Sequence, residues 1–314
     1  MEQKPKEEKQ QLEITVDGLL TSSAPEKEHK RLDVLKTYKL YINGKFPRSE
    51  SGRYYILKSR AGKFLANVSR ASRKDFRDAV VAARKAQPAW AARSAYNRGQ
   101  ILYRIAEMLE GRKLQFIDEL ISMGLNRSQA ENEITLSIDR LIHYAGWSDK
   151  YQQVFSSVNP VESSHFNFSL PEPTGVVSIL APETTGLIGL ISVIAPAIVG
   201  GNTVVVLASN SKPLSSITFA EVIHSSDVPE GVVNILTGIS SELAEHFSSH
   251  MDVNATVYCG TNAEETKLIQ TNAANNVKRV LIYSEKDFTR PDEQNPYYII
   301  DLQEIKTTWH PIGL

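Results

Sequence analysis

Short apolar runs rich in β-branched residues alternate with helix-compatible segments between residues 173 and 260. Each run ends at Gly, Pro, Asn or Ser, the residues that commonly close a strand. Such alternation is typical of βαβ units and predicts a parallel sheet. Strands are expected at Gly175–Leu180, Thr203–Leu207, Val232–Leu236 and Ala255–Tyr258.

The loops after these strands are the place to expect a site. In open parallel sheets, ligands bind beyond the carboxyl ends of the strands. Those ends are the segments Ala181–Gly186, Leu207–Asn210, Thr237–Ser240 and Gly260–Asn262.

The flanking segments predict helices and a few antiparallel strands. The pair Asn43-Gly44 within Tyr38–Phe46 is typical of a hairpin with a primed turn. Ser163–Leu170 alternates apolar and polar side chains and suits a half-exposed strand, and residues 297–314 are strand-like. Apolar positions near helical spacing predict helices at Asp75–Arg93 (with a break expected at Pro88), Arg98–Glu110, Leu114–Met123 and Ser128–Tyr151.

Composition narrows the class of protein without identifying it. The chain has 314 residues, 35 basic and 36 acidic, so its formal net charge of -1 gives no reason to expect nucleic acid or an anionic membrane as partner. One cysteine excludes an internal disulfide and a cysteine-based zinc cluster. Its charged start is not a secretory signal, and no apolar run is long enough to span a membrane. We expect a cytoplasmic protein.

Seven stretches, in one order, carry a family resemblance: INGKF, PAWAARSAYNRGQIL, YAGW, PTGVVSILAP, APAIVGGNTVV, PEGVVNILTG and NVKRV. They resemble the N-terminal, cofactor-binding half of the aldehyde dehydrogenase superfamily, from Tyr38 to about Lys286. The resemblance implies an α/β fold, a Rossmann-like parallel sheet flanked by helices, with a projecting two-stranded β-flap. The expected organisation is a mobile tail (1–36), the Rossmann-like domain (37–290, with 163–170 contributing to the flap) and a C-terminal oligomerisation strand (291–314).

The resemblance also implies that the chemistry has been lost. After Lys286 the catalytic half with its nucleophilic cysteine is absent, and EIKTTWHPIGL resembles the family's oligomerisation strand, as in the incomplete second copy of bidomain aldehyde dehydrogenases. Thr184 stands where the family has its oxyanion Asn, Leu207 and Asn210 where it has the Lys and Glu that bind ribose, and 283–286 where it has the general base. We therefore expect no catalytic residue, no metal and no cofactor. Weak binding of NAD or NADP is the only cofactor binding that we expect the chain to retain, if it retains any. The vestigial pocket would comprise Pro182, Glu183, Thr184, Leu207, Ser209, Asn210, Gly238, Gly260 and Thr261.

Two features near residue 260 have both a chemical and a structural interpretation. Thr261 and Glu264 have the spacing of a capping box, and a helix beginning there offers N–H groups to a pyrophosphate. Alternatively the helix satisfies those donors itself, while Glu264 and Glu265 repel phosphate; we favour this. Cys259 near that helix could be a thiolate nucleophile, but the end of a buried strand favours a core residue.

Other polar residues are also open to two interpretations. His246 and His250 are four residues apart and could share a metal, yet no third ligand lies within sequence reach, which favours a solvated surface pair. Glu183 could act as a base, and we favour a loop carboxylate.

Three functions remain. The chain could be a non-catalytic subunit of a complete aldehyde dehydrogenase, an NAD(P)-dependent oxidoreductase component active only with a partner chain, or a nucleotide-binding module without chemistry. The first is favoured, because the assembly strand is kept while the chemistry is lost. The expected interface is Lys306–Pro311, with a homodimer as the fallback, and neither nucleic acid nor membrane is expected as partner.

Overall fold

A computed structural model describes residues 34–284 and 286–313. The predicted mobile tail therefore lies outside the described residues up to residue 33. The elements, in chain order, are β1 (Tyr54–Lys58), β2 (Phe64–Ser69), α1 (Arg73–Ala91), α2 (Ala95–Gly111), α3 (Lys113–Ser122), α4 (Arg127–Trp147), α5 (Tyr151–Phe155), β3 (Ser157–Asn159), β4 (His165–Pro173), β5 (Val176–Leu180), α6 (Ile188–Val199), β6 (Thr203–Leu207), α7 (Pro213–His224), β7 (Val233–Leu236), α8 (Ser240–Ser249), β8 (Ala255–Tyr258), α9 (Ala263–Ala274), β9 (Arg279–Ile282), α10 (Tyr297–Ile300) and β10 (Gln303–Pro311).

The predicted parallel sheet is confirmed. Its five strands lie in the order β7-β6-β5-β8-β9, and each neighbouring pair is parallel. All residues of β5, β6, β7 and β8 are buried, as expected when helices cover both faces of a sheet. The chain order reverses between β5 and β8, which creates a crevice at their carboxyl ends.

The helices cover the sheet much as the sequence predicts. Every residue of α6 is buried, because α6 packs between the sheet and the outer helices α2 and α4. Pro88 does not break α1, contrary to expectation: the helix continues to Ala91, and the N–H of Ala92 donates to Pro88 O at 3.1 Å. The continuation lets Trp90 reach the core, where its Nε1–H donates to Ile198 O at 2.9 Å. The helix expected at Ser128–Tyr151 is divided, since α4 ends at Trp147 and α5 begins at Tyr151.

The predicted turn at Asn43-Gly44 is present. Both residues have positive φ, 51° and 69°, as a primed turn requires, and Ile42 bridges Lys45. The arms do not form a longer hairpin, because Tyr41 instead bridges Ile235 at the edge of the parallel sheet. The turn thereby extends that edge by one antiparallel bridge.

The predicted flap is present with one addition. β10 pairs with β4 over nine residues, from Gln303↔Pro173 to Pro311↔His165, and the short β3 adds a third strand on the other side of β4. The strand-like run at 297–300 forms α10 instead, because Tyr298 and Ile299 are buried, with α10 packed on α6. A separate pair of antiparallel strands, β1 and β2, was not predicted.

None of the helices described is both long and apolar enough to cross a membrane. The predicted domain boundary at residue 290 falls between β9 and α10 and stays a prediction.

Candidate functional site

A small cavity lies at the carboxyl ends of β5, β6 and β8, where the chain order of the sheet reverses. Its volume is about 210 Å³, below the 300–1,000 Å³ typical of ligand pockets. It is lined by Leu180, Ala181, Glu183, Leu207, Ala208, Ser240, Tyr258, Gly260, Thr261, Asn262 and Glu265. Four of the predicted pocket residues line it, namely Glu183, Leu207, Gly260 and Thr261.

Glu183 fixes the loop after β6. Its carboxylate accepts hydrogen bonds from Ser209 Oγ (2.7 Å), Asn210 N (2.8 Å), and Ser211 N and Oγ (3.2 and 3.1 Å). These hydrogen-bond donors belong to the segment that corresponds to the family's ribose-binding loop. They are already hydrogen-bonded to the Glu183 carboxylate. The contacts fit a loop carboxylate, as predicted, and bring Glu183, Ser209 and Asn210 together.

The other predicted pocket residues lie around this loop. The Lys212 ammonium donates to the carbonyl of Thr184. Pro182 is buried beside Gly189, and Gly238 packs near Leu243 and Leu207, but neither Pro182 nor Gly238 lines the cavity. The nine predicted pocket residues therefore lie near one another, but they do not all line the same cavity.

The N-terminus of α9 is closed by Asn262. Its side-chain oxygen accepts the N–H groups of Glu264 (2.9 Å) and Glu265 (3.2 Å), so the predicted cap by Thr261 is wrong by one residue. Adjacent cap-forming residues compete for this position, and the extended backbone of Asn262 decides it. Helix donors that could hold a phosphate are thereby occupied.

Glu265 adds a negative charge to the cavity. Its carboxylate accepts hydrogen bonds from Tyr258 OH and Ser240 Oγ, both at 2.8 Å. Burial raises the pKa of Tyr258, and the hydrogen bond to Glu265 raises it further, so the phenol stays a neutral donor. Two carboxylates, Glu183 and Glu265, line the cavity, and its lining contains no Lys or Arg.

The N-terminus of α6 is closed by Glu133, a residue not predicted from the sequence to have a role. Glu133 Oε1 on α4 accepts the N–H groups of Gly186 (2.8 Å), Leu187 (2.6 Å) and Ile188 (3.3 Å). The sequence does contain a signal for this role, because Glu133 interrupts the apolar face of α4 one residue before Ile134. In the structure only 6% of Glu133 is exposed. A charged residue on a buried face generally has a partner.

Cys259 is a core residue. It is 7% exposed, its N–H donates to Leu180 O at 3.1 Å, and burial raises the pKa of its thiol. A thiolate is disfavoured there, which supports the structural interpretation over the nucleophile.

The segment expected at the general-base motif joins β9 to α10. Tyr283 OH donates to Asp301 Oδ2 at 2.7 Å, Ser284 Oγ donates to Gly260 O, and Lys286 lies 3.4 Å from a Glu293 oxygen. Glu285 lies outside the described residues. The described contacts fasten the connection between the sheet and the flap.

No metal site is formed by the described residues, where groups of three potential His, Cys, Asp or Glu ligands are absent. His246 lies in α8 and His250 directly follows its end. His250 Nδ1 accepts the N–H of Asp252 at 3.2 Å, which is a local turn contact.

The edge of β10 with which no other strand in residues 34–284 and 286–313 pairs, here called the free edge, is the second candidate site. Ile312 N donates to Ser164 O and Thr174 N donates to Leu302 O, so even-numbered residues of β10 form the hydrogen-bonded pairs with β4. The N–H and C=O groups of Ile305, Thr307 and Trp309 consequently point away from β4. Eight consecutive residues of β10, from 304 to 311, are exposed.

Both faces of the flap carry apolar and polar side chains, since Trp309 pairs with Asn167 on one face and Lys306 with Leu170 on the other. Pairing places Val158, Phe168 and Thr308 on one face together with Phe166 and Leu170. The opposite face carries hydrogen bonds that join Asn159 to Asn167 (2.6 Å) and Ser169 (2.9 Å), and Ser169 to Thr307 (2.8 Å). Apolar side chains on the first face remain exposed, with Val158 at 66% and Phe166 at 44%.

Comparisons with known proteins give one consistent result. A model of the aldehyde dehydrogenase family matches residues 46–283. The putative aldehyde dehydrogenase DhaS of Bacillus subtilis is 32% identical over 251 residues, which cover 78% of this chain and 50% of that protein. The cytosolic 10-formyltetrahydrofolate dehydrogenase of Xenopus laevis is 31% identical over 261 residues, 81% of this chain and 29% of that protein.

Solved structures agree with the sequence comparisons. The NAD+ complex of aldehyde dehydrogenase from Bacillus cereus superposes with a TM-score of 0.74 and 25% identity, over 79% of this chain and 50% of that one. PnpE from Pseudomonas sp. WBC-3 gives a TM-score of 0.75 and 26% identity, again over 79% of this chain and 50% of that one. The chain spans about half the length of the aldehyde dehydrogenases that it matches, or less.

Proposed function

The chain belongs to the aldehyde dehydrogenase family, and we propose that it is a non-catalytic subunit that assembles with a complete aldehyde dehydrogenase through the free edge of β10. The observation that carries the proposal is the edge itself. An exposed strand with unpaired N–H and C=O groups is a liability unless another chain covers it. Addition of a strand from a partner satisfies those groups, and Lys306–Pro311 is the segment that would receive it.

The state of the cofactor crevice supports the non-catalytic part of the proposal. A dinucleotide brings a negatively charged pyrophosphate, which helix N-termini and cationic side chains commonly hold. Here Glu133 and Asn262 occupy the donors at two helix N-termini, and Glu183 and Glu265 add negative charge. Each feature opposes dinucleotide binding. We therefore expect that the chain binds no cofactor, or that it binds NAD or NADP only weakly.

The chemistry of the chain supports the same proposal. Cys259 is the only cysteine of the sequence, and its thiol is buried at the end of β8. The connection from β9 to β10 comprises residues 283–302, with α10 as its only α-helix or strand among the residues described. The flap strand therefore follows the Rossmann-like sheet directly, and another chain would supply the nucleophile and the base.

Affinity purification from the native host tests the proposal. The tagged chain should retain an aldehyde dehydrogenase that carries a catalytic cysteine, in a defined ratio after size-exclusion chromatography. A stable monomer that retains no dehydrogenase would contradict the proposal. Homodimers without dehydrogenase would support the fallback, self-association through the flap.

A further inference from the structure

A concavity of about 320 Å³ lies between the first turns of α1 and the end of α8, apart from the crevice and the flap. Its lining residues include four basic side chains and no carboxylate. They are Arg73, Phe76, Arg77, His246, Ser249, His250 and Met251. With histidine neutral, the two arginines carry the charge of this lining, and in a chain with a net charge of -1 they form a local concentration of positive charge.

The two arginines are available to a ligand. Arg73 and Arg77 are four residues apart, so they stand on one face of α1. Arg77 lies 3.3 Å from Asp78 in an exposed ion pair, which contributes little, and Arg73 has no ion pair with any residue that the structure describes. Guanidinium groups bind phosphate and carboxylate groups in bidentate geometry.

His250 provides a third donor in a fixed position. Because its Nδ1 accepts the N–H of Asp252, the neutral ring carries its proton on Nε2, which has no partner among the residues described here. The ring stands edge-on to Phe76 at 5.9 Å, and Phe76 in turn stacks on Phe247 at 4.2 Å. Packing therefore holds the imidazole at the wall of the concavity.

The surroundings of His250 are electropositive. Burial lowers the pKa of His250, Asp252 raises it, and the charges of Lys278, Arg77 and Arg84 lower it again. Lys278 Nζ also donates to the carbonyls of Ser248 (2.8 Å) and His250 (2.9 Å). Two carbonyls at the negative end of the α8 dipole are thereby paired with a cationic group, which weakens the opposition of that end to an anion.

We propose that this concavity binds the phosphate or carboxylate group of a small organic anion, with Arg73, Arg77 and His250 as donors. Met251, which is 77% exposed, forms the accessible apolar part of the wall beside the buried Phe76, so an anion with an aromatic or aliphatic group fits better than a bare ion. Phenyl phosphate represents the ligand class.

Nuclear magnetic resonance of the histidine rings tests the proposal with phenyl phosphate at low ionic strength. The His250 signals should shift saturably, and the pKa of His250 should rise, because the anion offsets the charges of Arg73, Arg77, Arg84 and Lys278. The signals of His224, which packs against Tyr41 and Phe46, should stay unchanged.

Matched variants distinguish a specific anion-binding site from a general electrostatic attraction between the protein and the anion. Arg73→Gln/Arg77→Gln should weaken binding about tenfold or more, since hydrogen bonds to charged groups are lost. Arg104→Gln/Arg127→Gln removes the same charge from other helices and should keep the affinity within about twofold. Arg73, Arg77 and Arg127 are exposed and the side chain of Arg104 is 43% exposed, so the variants should fold. No saturation, equal loss in both double variants, or equal shifts at His224 would overturn the proposal.

Discussion

The carboxylate of Glu183 accepts the backbone N–H of Asn210 at 2.8 Å, across the carboxyl ends of β5 and β6. With the contacts to Ser209 and Ser211, it holds the loop after β6 in place. A protein side chain thus uses donors in the crevice where a family member would be expected to hold its cofactor.

The Glu183 contacts should stabilise the fold modestly. Glu183→Ala should lower the free energy of unfolding by about 1 kcal/mol, because several hydrogen bonds to a charged but exposed group are lost. Urea denaturation measures this. Glu162→Ala, at an exposed position, is the matched control and should change stability by less than about 0.5 kcal/mol. Equal effects of both variants would show that the loop does not need the carboxylate.

NAD and NADP should stabilise the protein little. A ligand at a concentration equal to its Kd adds about 0.4 kcal/mol, so weak binding at about 1 mM should raise the Tm by less than about 1 °C. Differential scanning fluorimetry measures this, with sodium chloride at matched ionic strength as the control. A shift of several degrees at micromolar NAD would contradict the proposed loss of cofactor binding and favour a nucleotide-binding module or a partner-dependent oxidoreductase.

Four strands of the parallel sheet could be predicted to within about a residue, whereas β9 was not predicted as a strand. β6 and β8 begin and end where expected, because continuous buried runs bounded by turn residues have few alternative structures. β1 and β2 escaped prediction because most of their side chains are exposed or half-buried, so no alternation marks them. For 297–300, burial against α6 overrode the strand-like composition.

The position of the crevice could be predicted from the sequence, but the hydrogen bonds within it could not. The strand ends located the crevice, and the loss of cofactor donors that the substituted motif residues imply stays a prediction. The hydrogen bonds of Glu133, however, join residues 53 to 55 positions apart, and spacing carries no information on such pairs. The cap of α9 shows a finer limit, since Thr261 and Asn262 are both good cap residues and only the backbone decides between them.

Glu133 should contribute strongly to stability. Glu133→Gln keeps the shape but removes the charge that faces three N–H groups, so it should lower the free energy of unfolding by about 1–3 kcal/mol. Glu131→Gln on the same helix removes an exposed carboxylate 3.3 Å from Arg127, and should cost less than about 0.5 kcal/mol. Chemical denaturation compares the two. Equal losses would mean that the buried charge adds nothing to the cap of α6.

His143 should make the fold sensitive to acid. Burial, with the nearby charges of Arg140 and Lys150, lowers the pKa of His143 to about 4 from its usual 6.5. The unfolded chain therefore binds more protons between these pH values, and stability falls as the pH falls from about 6.5 to about 4. For this half-buried ring the loss should be on the order of 2–3 kcal/mol.

The variant His143→Phe should flatten this part of the stability profile. The profile is obtained from urea denaturation at several pH values. His310→Phe, on the exposed strand β10, should leave the profile unchanged. An unaltered slope in His143→Phe would assign the acid sensitivity to other groups.

One backbone donor distinguishes assembly through the β10 edge from assembly elsewhere. The N–H of Thr307 points away from β4, so Thr307→Pro removes a donor from the free edge and leaves the β4 ladder intact. Thr307→Ala keeps that donor, while both variants lose the hydroxyl contact with Ser169. If a dehydrogenase adds a strand here, Thr307→Pro should reduce its co-purification at least about tenfold, since a lost hydrogen bond and the proline ring both oppose pairing. Thr307→Ala should retain it, and equal retention by both variants would place the interface on another surface.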